Sequence, residues 1–175
     1  KGTIDFDPAD SKLINEIIDK SKKVFELHGG RSLDTPTFEL LEILKNKSEE
    51  SLIFELNDQG GDICGLRFDL TVPLARYLAQ NNVTTLRRYQ IGKVYRRDQP
   101  AITKGRYREF YQCDFDICGN FIPLLPDAES IKIADEILES FDIGEFIIKI
   151  NHRKLITAMC LFCLEGESVK CDVDE

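Results

Sequence analysis

Six side chains suited to binding a charged ligand that contains a ring occupy every second position between residues 106 and 117. They are Arg106, Arg108, Phe110, Gln112, Asp114 and Asp116. Because successive side chains of a β-strand point to opposite faces, we expect these six to share one face. The cations lie at one end, the carboxylates lie at the other, and a ring and an amide lie between. This order fits a ligand with a polyanionic end, a flat ring and a cationic end. A solvent-exposed amphipathic strand is the alternative.

Each side-chain type on this face suits one part of such a ligand. An arginine carries a permanent charge and donates two parallel hydrogen bonds, which suits phosphate. Phe110 could stack on a heterocycle, and Gln112 could both donate and accept hydrogen bonds. Asp116 could accept from an ammonium group or an imidazole N–H. The opposite face is suited to packing under helices; it carries Tyr107, Glu109, Tyr111, Cys113, Phe115 and Ile117.

The segment from Arg87 to Arg108 is basic in an otherwise acidic chain. It carries eight lysines and arginines and a single acid, although the whole chain of 175 residues has a net charge of −8. Acidic surface repels nucleic acid and phosphorylated ligands, so bulk non-specific nucleic-acid binding is disfavoured. A local concentration of positive charge predicts one focused phosphate site instead.

Two carboxylates in neighbouring segments could contribute to this site. Asp98 could accept a hydrogen bond from the exocyclic amine of a bound base, or it could pair with Arg97 at the surface. Asp69 shares a strand parity with Arg67 and Thr71. It could accept from an amino group, pair with Arg67 or cap a helix. The residue pattern leaves these alternatives open.

The six side chains require a strand, and the pattern predicts that this strand belongs to a hairpin. Strands are predicted at residues 86–97 and 106–117, joined by the loop "DQPAITKG". The segments "SLIFELND" and "DICGLRFDL" alternate around a turn at 57–62 and predict a second hairpin.

Helices are predicted around these strands. A helical stripe of apolar residues opens at Asp10 or Ser11 and stops at 29–30. Thr71 is predicted to cap a short helix that closes at 81–82. The remaining predictions are a short helix after Pro36, a helix at 127–141, a strand at 145–151 and a helix-like segment at 153–166. Hairpins mixed with helices indicate the α+β class, an antiparallel sheet flanked by helices.

The composition is that of one globular domain. Of the 175 residues, 42% are hydrophobic and 31% are charged, which excludes disordered and collagen-like classes. No apolar run reaches a membrane-spanning length, and the N-terminal segment has no signal-peptide layout, so we expect no membrane association.

The six cysteines predict neither a disulfide framework nor a metal site. They are unevenly spaced, and we expect them to be reduced in an intracellular protein. Cys160 and Cys163 form a CxxC in a helix-like segment with no second ligand pair, which predicts buried small hydrophobic residues rather than a zinc site. His28 and His152 are isolated near predicted element ends, where we expect surface or capping roles.

Three stretches resemble the histidyl-tRNA synthetase family, in its eukaryotic cytosolic type. They are "KGTIDF", "RFDLTVPLARYLAQNN" and "RRYQIGKVYRRDQPAITKGRYREFYQCDFDI". The segment at about 24–40, with "HGGRSLDTPTFEL", is similar to class II motif 1, which implies a homodimer interface that includes Pro36. The hairpin at about 86–117 is similar to motif 2. The resemblance implies a class II aminoacyl-tRNA synthetase catalytic core over residues 1–175.

The resemblance also implies a role for each site residue. For ATP, Arg96 would bind the α-phosphate, Asp98 would face the adenine amine, Arg106 would lie near the γ-phosphate and Phe110 would stack on adenine. Arg96 and Arg106 would therefore be the catalytic residues. For L-histidine, the implied residues are Asp69, Thr71 and Gln112 at the ammonium group and Asp116 at the imidazole.

The implied reaction is histidine activation by ATP and Mg²⁺, followed by transfer to tRNA(His) in the cytoplasm. Positioning and charge neutralisation supply the catalysis, and the metal is held by phosphates with no ligand from the protein alone. The basic hairpin would then neutralise the charge of the triphosphate.

The chain departs from the family pattern in two ways. Ile4 stands where the family has arginine. Motif 3, the histidine-specific segment with its own arginine and the anticodon-binding domain have no counterpart in "CLEGESVKCDVDE" or before it. We therefore expect the N-terminal half of a catalytic domain, with weak ATP binding and little aminoacylation on its own.

Two other hypotheses fit parts of the pattern. One is a synthetase-like regulatory domain that binds tRNA without catalysis, although Arg96, Arg106, Gln112 and Asp116 are the types that catalysis requires. The other is a small RNA-binding module that stacks bases on Tyr107, Phe110 and Tyr111. Those three aromatic residues do not share a predicted face.

Overall fold

A computed structural model describes residues 2–45, 52–56, 60–101 and 105–163. The chain divides into two compact units, residues 1–142 and residues 143–175. Several sequence-based expectations fall outside the described residues: part of the turn at 57–62, Lys104 in the hairpin loop, Cys171 and the acidic C-terminal segment.

The first unit begins with helix α1, Pro8–Leu27. It starts earlier than Asp10, because the Asp7 carboxylate accepts from the backbone N–H groups of Ala9 and Asp10 and Pro8 occupies the first turn. His28 is the C-cap. This result confirms the capping role expected for His28.

Short elements connect α1 to the central hairpin. They are β1 (Arg31–Ser32), β2 (Phe38–Leu40), α2 (Leu41–Lys45) and β3 (Cys64–Leu66). Strands β2 and β3 pair antiparallel. The predicted hairpin around residues 57–62 is present only as the single bridge between Glu55 and Gly65, with 52–56 forming no strand of its own.

Helix α3 spans Thr71–Gln80 and ends at the C-cap Asn81. Thr71 is not its N-cap, which corrects the sequence-based prediction. Leu70 holds that position, and the orphan N–H of Val72 is instead satisfied by Asp69 Oδ1 at 3.0 Å. The buried aspartate replaces the exposed threonine as the capping side chain.

The central hairpin consists of β4 (Leu86–Tyr95) and β5 (Glu109–Cys118), paired antiparallel over all ten residues. Strand β1 pairs parallel with the other edge of β4, which gives a three-stranded sheet in the order β1-β4-β5. The α+β class is confirmed, although the sheet is mixed rather than wholly antiparallel. Strand β5 begins three residues later than predicted, because residue 106 is held only by an isolated bridge to Ala101.

Helix α4, Leu125–Ser140, and helix α1 cover one face of this hairpin. Phe25 of α1 lies 5.4 Å from the Tyr89 ring and 5.2 Å from the Phe115 ring, measured between ring centroids. Ile133 of α4 is buried in the same cluster. The parity prediction is therefore confirmed for Phe115, whereas Tyr111 and Cys113, predicted for the same face, are exposed.

His28 joins the end of α1 to α4. Its Nε2 lies 2.9 Å from Glu136 Oε2, and its Nδ1 lies 3.4 Å from Glu129 Oε1. Arg87 of β4 donates to the same Glu129 oxygen. This cluster stabilises the packing of both helices on the hairpin.

In the second unit, the structure describes residues 143–163. Helix α5 spans Arg153–Cys163, as predicted, and the backbone N–H of Lys154 donates to His152 Nδ1, which confirms the capping role expected for His152. The strand predicted at 145–151 is wrong, because these residues form no strand and Ile147 and Ile150 are exposed.

The cysteine predictions have mixed outcomes. Cys160 and Cys163 are exposed on α5, which has no buried residue, so the prediction that they are buried is wrong. The five cysteines in the described ranges are free thiols. No helix in the described part of the chain is long and apolar enough to cross a membrane.

Candidate ATP and histidine site

The hairpin face away from α1 and α4 carries the predicted site. We call it the hairpin floor; it consists of Arg88, Gln90, Gly92 and Val94 of β4, opposite Asp116, Asp114, Gln112 and Phe110 of β5. Arg88 faces Asp116, and Gly92 faces Gln112. The ladder therefore brings Phe110, Gln112 and Asp116 to one face in the predicted order.

Arg88 holds Asp116 in place at one end of the floor. Its side chain is fully buried, and its Nη2 lies 2.8 Å from Asp116 Oδ2. The hydrogen bonds of the guanidinium go to the Leu70 carbonyl at 2.8 Å and to Gln90 Oε1 at 3.1 Å. Its contact with Asp116 is therefore an ion pair, while Arg88 Nε has no hydrogen-bond partner among the described residues.

Gln112 presents a buried acceptor at the middle of the floor. Its Oε1 is shielded from solvent and has no hydrogen-bond partner in the described part of the chain. Leaving a buried acceptor unsatisfied is costly, so such an atom requires an explanation, and a bound donor supplies one.

A second arginine lies against the floor beside Gly92. A Cβ at Gly92 would lie only 2.7 Å from Arg67 Nη2, so glycine leaves the space that this guanidinium fills. Arg67 Nη1 donates to the Thr35 carbonyl at 2.7 Å, and its Nε donates to the Lys93 carbonyl at 2.9 Å. Burial lowers the pKa of Arg67, and the charge of Asp34 opposes that shift.

Gln90 extends this polar layer. It is buried, and its Nε2 donates to Asp34 Oδ1 at 2.9 Å and to Thr35 Oγ1 at 3.1 Å. Because its Oε1 also accepts from Arg88, Gln90 holds that guanidinium in place. The buried part of the floor on β4 is thus polar and hydrogen-bonded rather than apolar.

Asp69 lies two residues before the start of α3. It is buried, and one of the alternatives left open by the sequence is observed, since Asp69 caps the helix through Val72. The Nε and Nη1 groups of Arg67 donate to the backbone carbonyls of Lys93 and Thr35. Thr71, also predicted at the site, is exposed at the first position of α3.

Arg96 and Phe110 meet at the other end of the floor. The Arg96 guanidinium carbon lies 5.0 Å from the Phe110 ring centroid, a cation–π distance, and Arg96 Nε donates to the Phe68 carbonyl at 3.1 Å. These contacts place a cation beside a ring on the same face as Gln112.

Arg106 and Arg108 precede the first residue of β5, Glu109. Arg106 is exposed, and Arg108 Nε donates to the Asp98 carbonyl at 3.1 Å. The N–H of Arg108 also donates to the carbonyl of Gly2, so the opening segment packs against this end. The structure therefore brings Arg96 and Phe110 together and leaves Arg106 at the surface.

The positive charge of the hairpin is divided between its two faces. Arg87 and Lys93 point to the helix-covered face, where they pair with Glu129 and Glu109. Across the described residues, no ion pair involves Arg96, Arg97 or Arg106, and none joins Arg97 to Asp98. The cations without acidic partners are thus at the loop end.

The family resemblance implies Mg²⁺ that is bound through the phosphates of ATP. The described ranges contain no group of three or more His, Cys, Asp or Glu side chains that could hold a metal ion. Mg²⁺ prefers oxygen ligands and is often bound through substrate phosphates. Arginines at the loop end suit those phosphates.

Sequence reasoning missed the buried polar residues of the floor on β4 and the arginine against them. Arg88, Gln90 and Arg67 were not assigned to the site, although two of them occupy alternate positions on β4. The signal was available: an antiparallel register that places residue 88 opposite residue 116 pairs an arginine with the aspartate.

The fold is similar to solved structures of synthetases. A histidyl-tRNA synthetase from Nostoc sp. has a TM-score of 0.80 and 35% identity, over 95% of this chain and 40% of the solved chain. A chain from Bacillus halodurans, described as an ATP phosphoribosyltransferase regulatory subunit/histidyl-tRNA synthetase, has a TM-score of 0.79 and 27% identity, over 95% of this chain and 43% of its own.

Residues 2–163 match the family model described as histidyl-tRNA synthetase, and the chain belongs to that family. The cytoplasmic histidine–tRNA ligase of Dictyostelium discoideum is 51% identical, over 93% of this chain and 34% of the relative. The mitochondrial histidine–tRNA ligase of Mus musculus is 49% identical, over 96% of this chain and 34% of the relative. The chain thus spans about a third of the length of these relatives.

Proposed function

We propose that this chain is the N-terminal part of the catalytic domain of a histidine–tRNA ligase, an aminoacyl-tRNA synthetase. Its hairpin floor binds ATP and L-histidine, the histidine is activated to histidyl-adenylate, and the histidyl group is transferred to tRNA(His). The buried and unpartnered Oε1 of Gln112, between a cation–π pair and an arginine–aspartate pair, is the observation that carries this proposal.

Histidine occupies the end of the floor near Asp116. Its ammonium group donates to Gln112 Oε1 and to the carboxylate of Asp69, and Thr71 lies at the same helix start. Its imidazole N–H donates to Asp116. A charged donor at a buried acceptor forms a stronger hydrogen bond than a neutral one, which favours an ammonium group at Gln112.

ATP occupies the loop end. Arg96 contacts the α-phosphate, Phe110 stacks on adenine, Asp98 accepts from the adenine amine, and Arg106 lies near the γ-phosphate. Arg96 and Arg106 act as the catalytic residues because their charge neutralises the phosphates. The absence of acidic partners for these two arginines in the described ranges supports this assignment.

The proposed reaction needs no covalent enzyme intermediate. A carboxylate oxygen of histidine attacks the α-phosphorus in line, an O–P bond forms, and the bond to pyrophosphate breaks. The arginines hold the two anions together in one geometry, which supplies proximity and charge stabilisation. Mg²⁺ bound to the phosphates would further neutralise their charge.

Histidine-dependent exchange of labelled pyrophosphate into ATP tests the proposal. We expect the full-length protein to catalyse this exchange with histidine and not with the other amino acids. The 175-residue chain alone should show weak ATP binding and little exchange, because it spans only about a third of the length of the relatives. Exchange by the fragment at the full-length rate would contradict that dependence.

A non-catalytic regulatory domain that binds tRNA is the second candidate. It is favoured by the similarity to the Bacillus halodurans chain, whose description includes a regulatory subunit. Competition between histidine and a non-hydrolysable histidyl-adenylate analogue separates the two functions. Competition supports the ligase, whereas tRNA binding that is insensitive to both ligands supports the regulatory domain.

The partners and location follow from the same assignment. We propose a homodimer through residues 24–40, with Pro36 in the interface, and a cytoplasmic location, because several relatives are named cytoplasmic although others are mitochondrial. Sedimentation equilibrium of the full-length protein tests the dimer. Imaging of the tagged full-length protein tests the location.

A further inference from the structure

Arg88 contacts two separate segments that carry the proposed histidine ligands. One contact is the 2.8 Å ion pair with Asp116 of β5. The other is the 2.8 Å hydrogen bond to the Leu70 carbonyl, and Leu70 lies between Asp69 and Thr71 at the start of α3. A single guanidinium thus links the imidazole end of the proposed site to its ammonium end.

The burial of Arg88 requires an explanation beyond stability. Its relative exposure is 0%, although that of the Asp116 side chain is 24%, and an ion pair with a buried member is weak evidence for stability because desolvation offsets the attraction. An apolar side chain at residue 88 would pack in the interior without that cost. The three partners of Arg88 instead hold it in one orientation.

We propose that Arg88 is a positioning residue that sets the distance between Asp116 and the start of α3, and so the selectivity of the site for histidine. The proposal rests on the proposed function, since it assumes that Asp116 binds the imidazole. Arg88 itself touches no substrate; it is a buried residue of the floor and acts through Asp116 and Leu70.

The fork of the guanidinium explains why arginine is needed. Its Nη1 donates to Gln90 while its Nη2 reaches both Leu70 and Asp116. A lysine ammonium keeps the charge but is a compact group that does not present this planar fork. Arg88→Lys should therefore fix the distance between Asp116 and the start of α3 less firmly, while it keeps the positive charge in the interior.

The test is the kinetics of pyrophosphate exchange by the full-length Arg88→Lys protein. We expect the KM for histidine to rise about tenfold, with the KM for ATP changed less than about twofold, because only the histidine end loses its geometry. Discrimination against N-methylated histidines, which lack one imidazole N–H, should fall by a similar factor.

Arg76→Lys is the matched control. Arg76 lies on α3, away from the floor, and its Nε is 2.6 Å from Glu39 Oε2 in another shielded ion pair. We expect it to lower the thermal midpoint as Arg88→Lys does but to leave both KM values unchanged. If Arg88→Lys raises the KM for histidine and the KM for ATP equally, in proportion to the fall in its thermal midpoint, then Arg88 has a structural role only. That result would overturn the proposal.

Gln90→Leu keeps the proposal testable if Arg88→Lys does not fold. It removes the acceptor of Arg88 Nη1 but keeps the guanidinium, so the KM for histidine should rise by about threefold while that for ATP does not. An unchanged KM for histidine would count against the positioning role. If the unmodified protein neither binds histidine nor catalyses exchange, the proposed function fails instead.

Discussion

Two adjacent arginines of β4, Arg87 and Arg88, point to opposite faces of the hairpin and differ in their burial and in their ion-pair partners. Arg87 is partly exposed and pairs with Glu129, which holds α4 on the helix-covered face. Arg88 is fully buried and pairs with Asp116 on the floor. The strand parity alone decides whether a cation supports the fold or the site.

The two faces also differ in whether their polar side chains have hydrogen-bond or ion-pair partners. On the helix-covered face, aromatic rings stack, and the side chains of Arg87, Lys93 and His28 contact carboxylates. On the floor, Gln112 Oε1 and Arg88 Nε are buried without hydrogen-bond partners among the described residues. We therefore expect substitutions on the first face to change stability and substitutions on the second to change ligand binding.

Phe25→Ala should have the largest effect, and on stability alone. The ring is 2% exposed and contacts Tyr89 and Phe115, so truncation should lower the free energy of unfolding by about 3–5 kcal/mol. Urea denaturation measures the change. Exchange activity per folded molecule of the full-length protein should be unchanged. A selective loss of histidine affinity would contradict the distinction between a face that supports stability and a face that binds ligands.

Arg96→Ala should have the largest effect on activity. Removing one preorganised charge at a reacting phosphate lowers kcat by roughly 100- to 1,000-fold, and we expect that loss in pyrophosphate exchange by the full-length protein. Arg97→Ala is the matched control, because Arg97 is the exposed neighbour with no proposed ligand. A similar loss in both variants would mean that overall charge, not geometry, drives the effect.

Gln112→Leu should separate binding from stability. Removal of a buried acceptor without a partner should leave the free energy of unfolding unchanged or raise it by up to about 1 kcal/mol. The KM for histidine in exchange should rise about tenfold, because its ammonium loses a hydrogen bond. Tyr111→Phe, on the other face of β5, serves as control. Lower stability with unchanged KM would assign Gln112 to the fold.

The smallest effect concerns the pH dependence of stability on the helix-covered face. The hydrogen bond from Arg87 holds the pKa of Glu129 below its ordinary value of 4.5. A lowered pKa stabilises the fold fully above pH 4.5, and this contribution is lost as the pH falls through the lowered value. Unfolding followed from pH 6 to pH 3 should show less pH dependence in Glu129→Gln; an identical slope would contradict this account.

The hairpin floor could be predicted from the sequence because a strand has a fixed period of two. Once β5 was recognised, the positions of Phe110, Gln112 and Asp116 on one face followed from parity. The division between a helix-covered face and a charged face followed in the same way, as the packing of Phe115 confirms.

Strand bounds and helix caps do not depend on the alternation of side chains along a strand, and the sequence predicted them less well. The start of β5 depends on pairing near a loop, so residues 106–108 lie outside the strand. The cap of α3 depends on which side chain reaches Val72, and Asp69 does so instead of Thr71. The predicted strand at 145–151 is wrong, because these residues form no strand.

The most direct test of the central claim is a two-dimensional NMR titration of the 175-residue chain with L-histidine and Mg-ATP. We predict shifts of the Gln112 side-chain amide and the Gly92 N–H with histidine, and of residues around Arg96 and Phe110 with ATP. The amides around Phe25 and Tyr89 should not move. Shifts confined to the helix-covered face, or no shift on the floor at saturating ligand, would contradict the account.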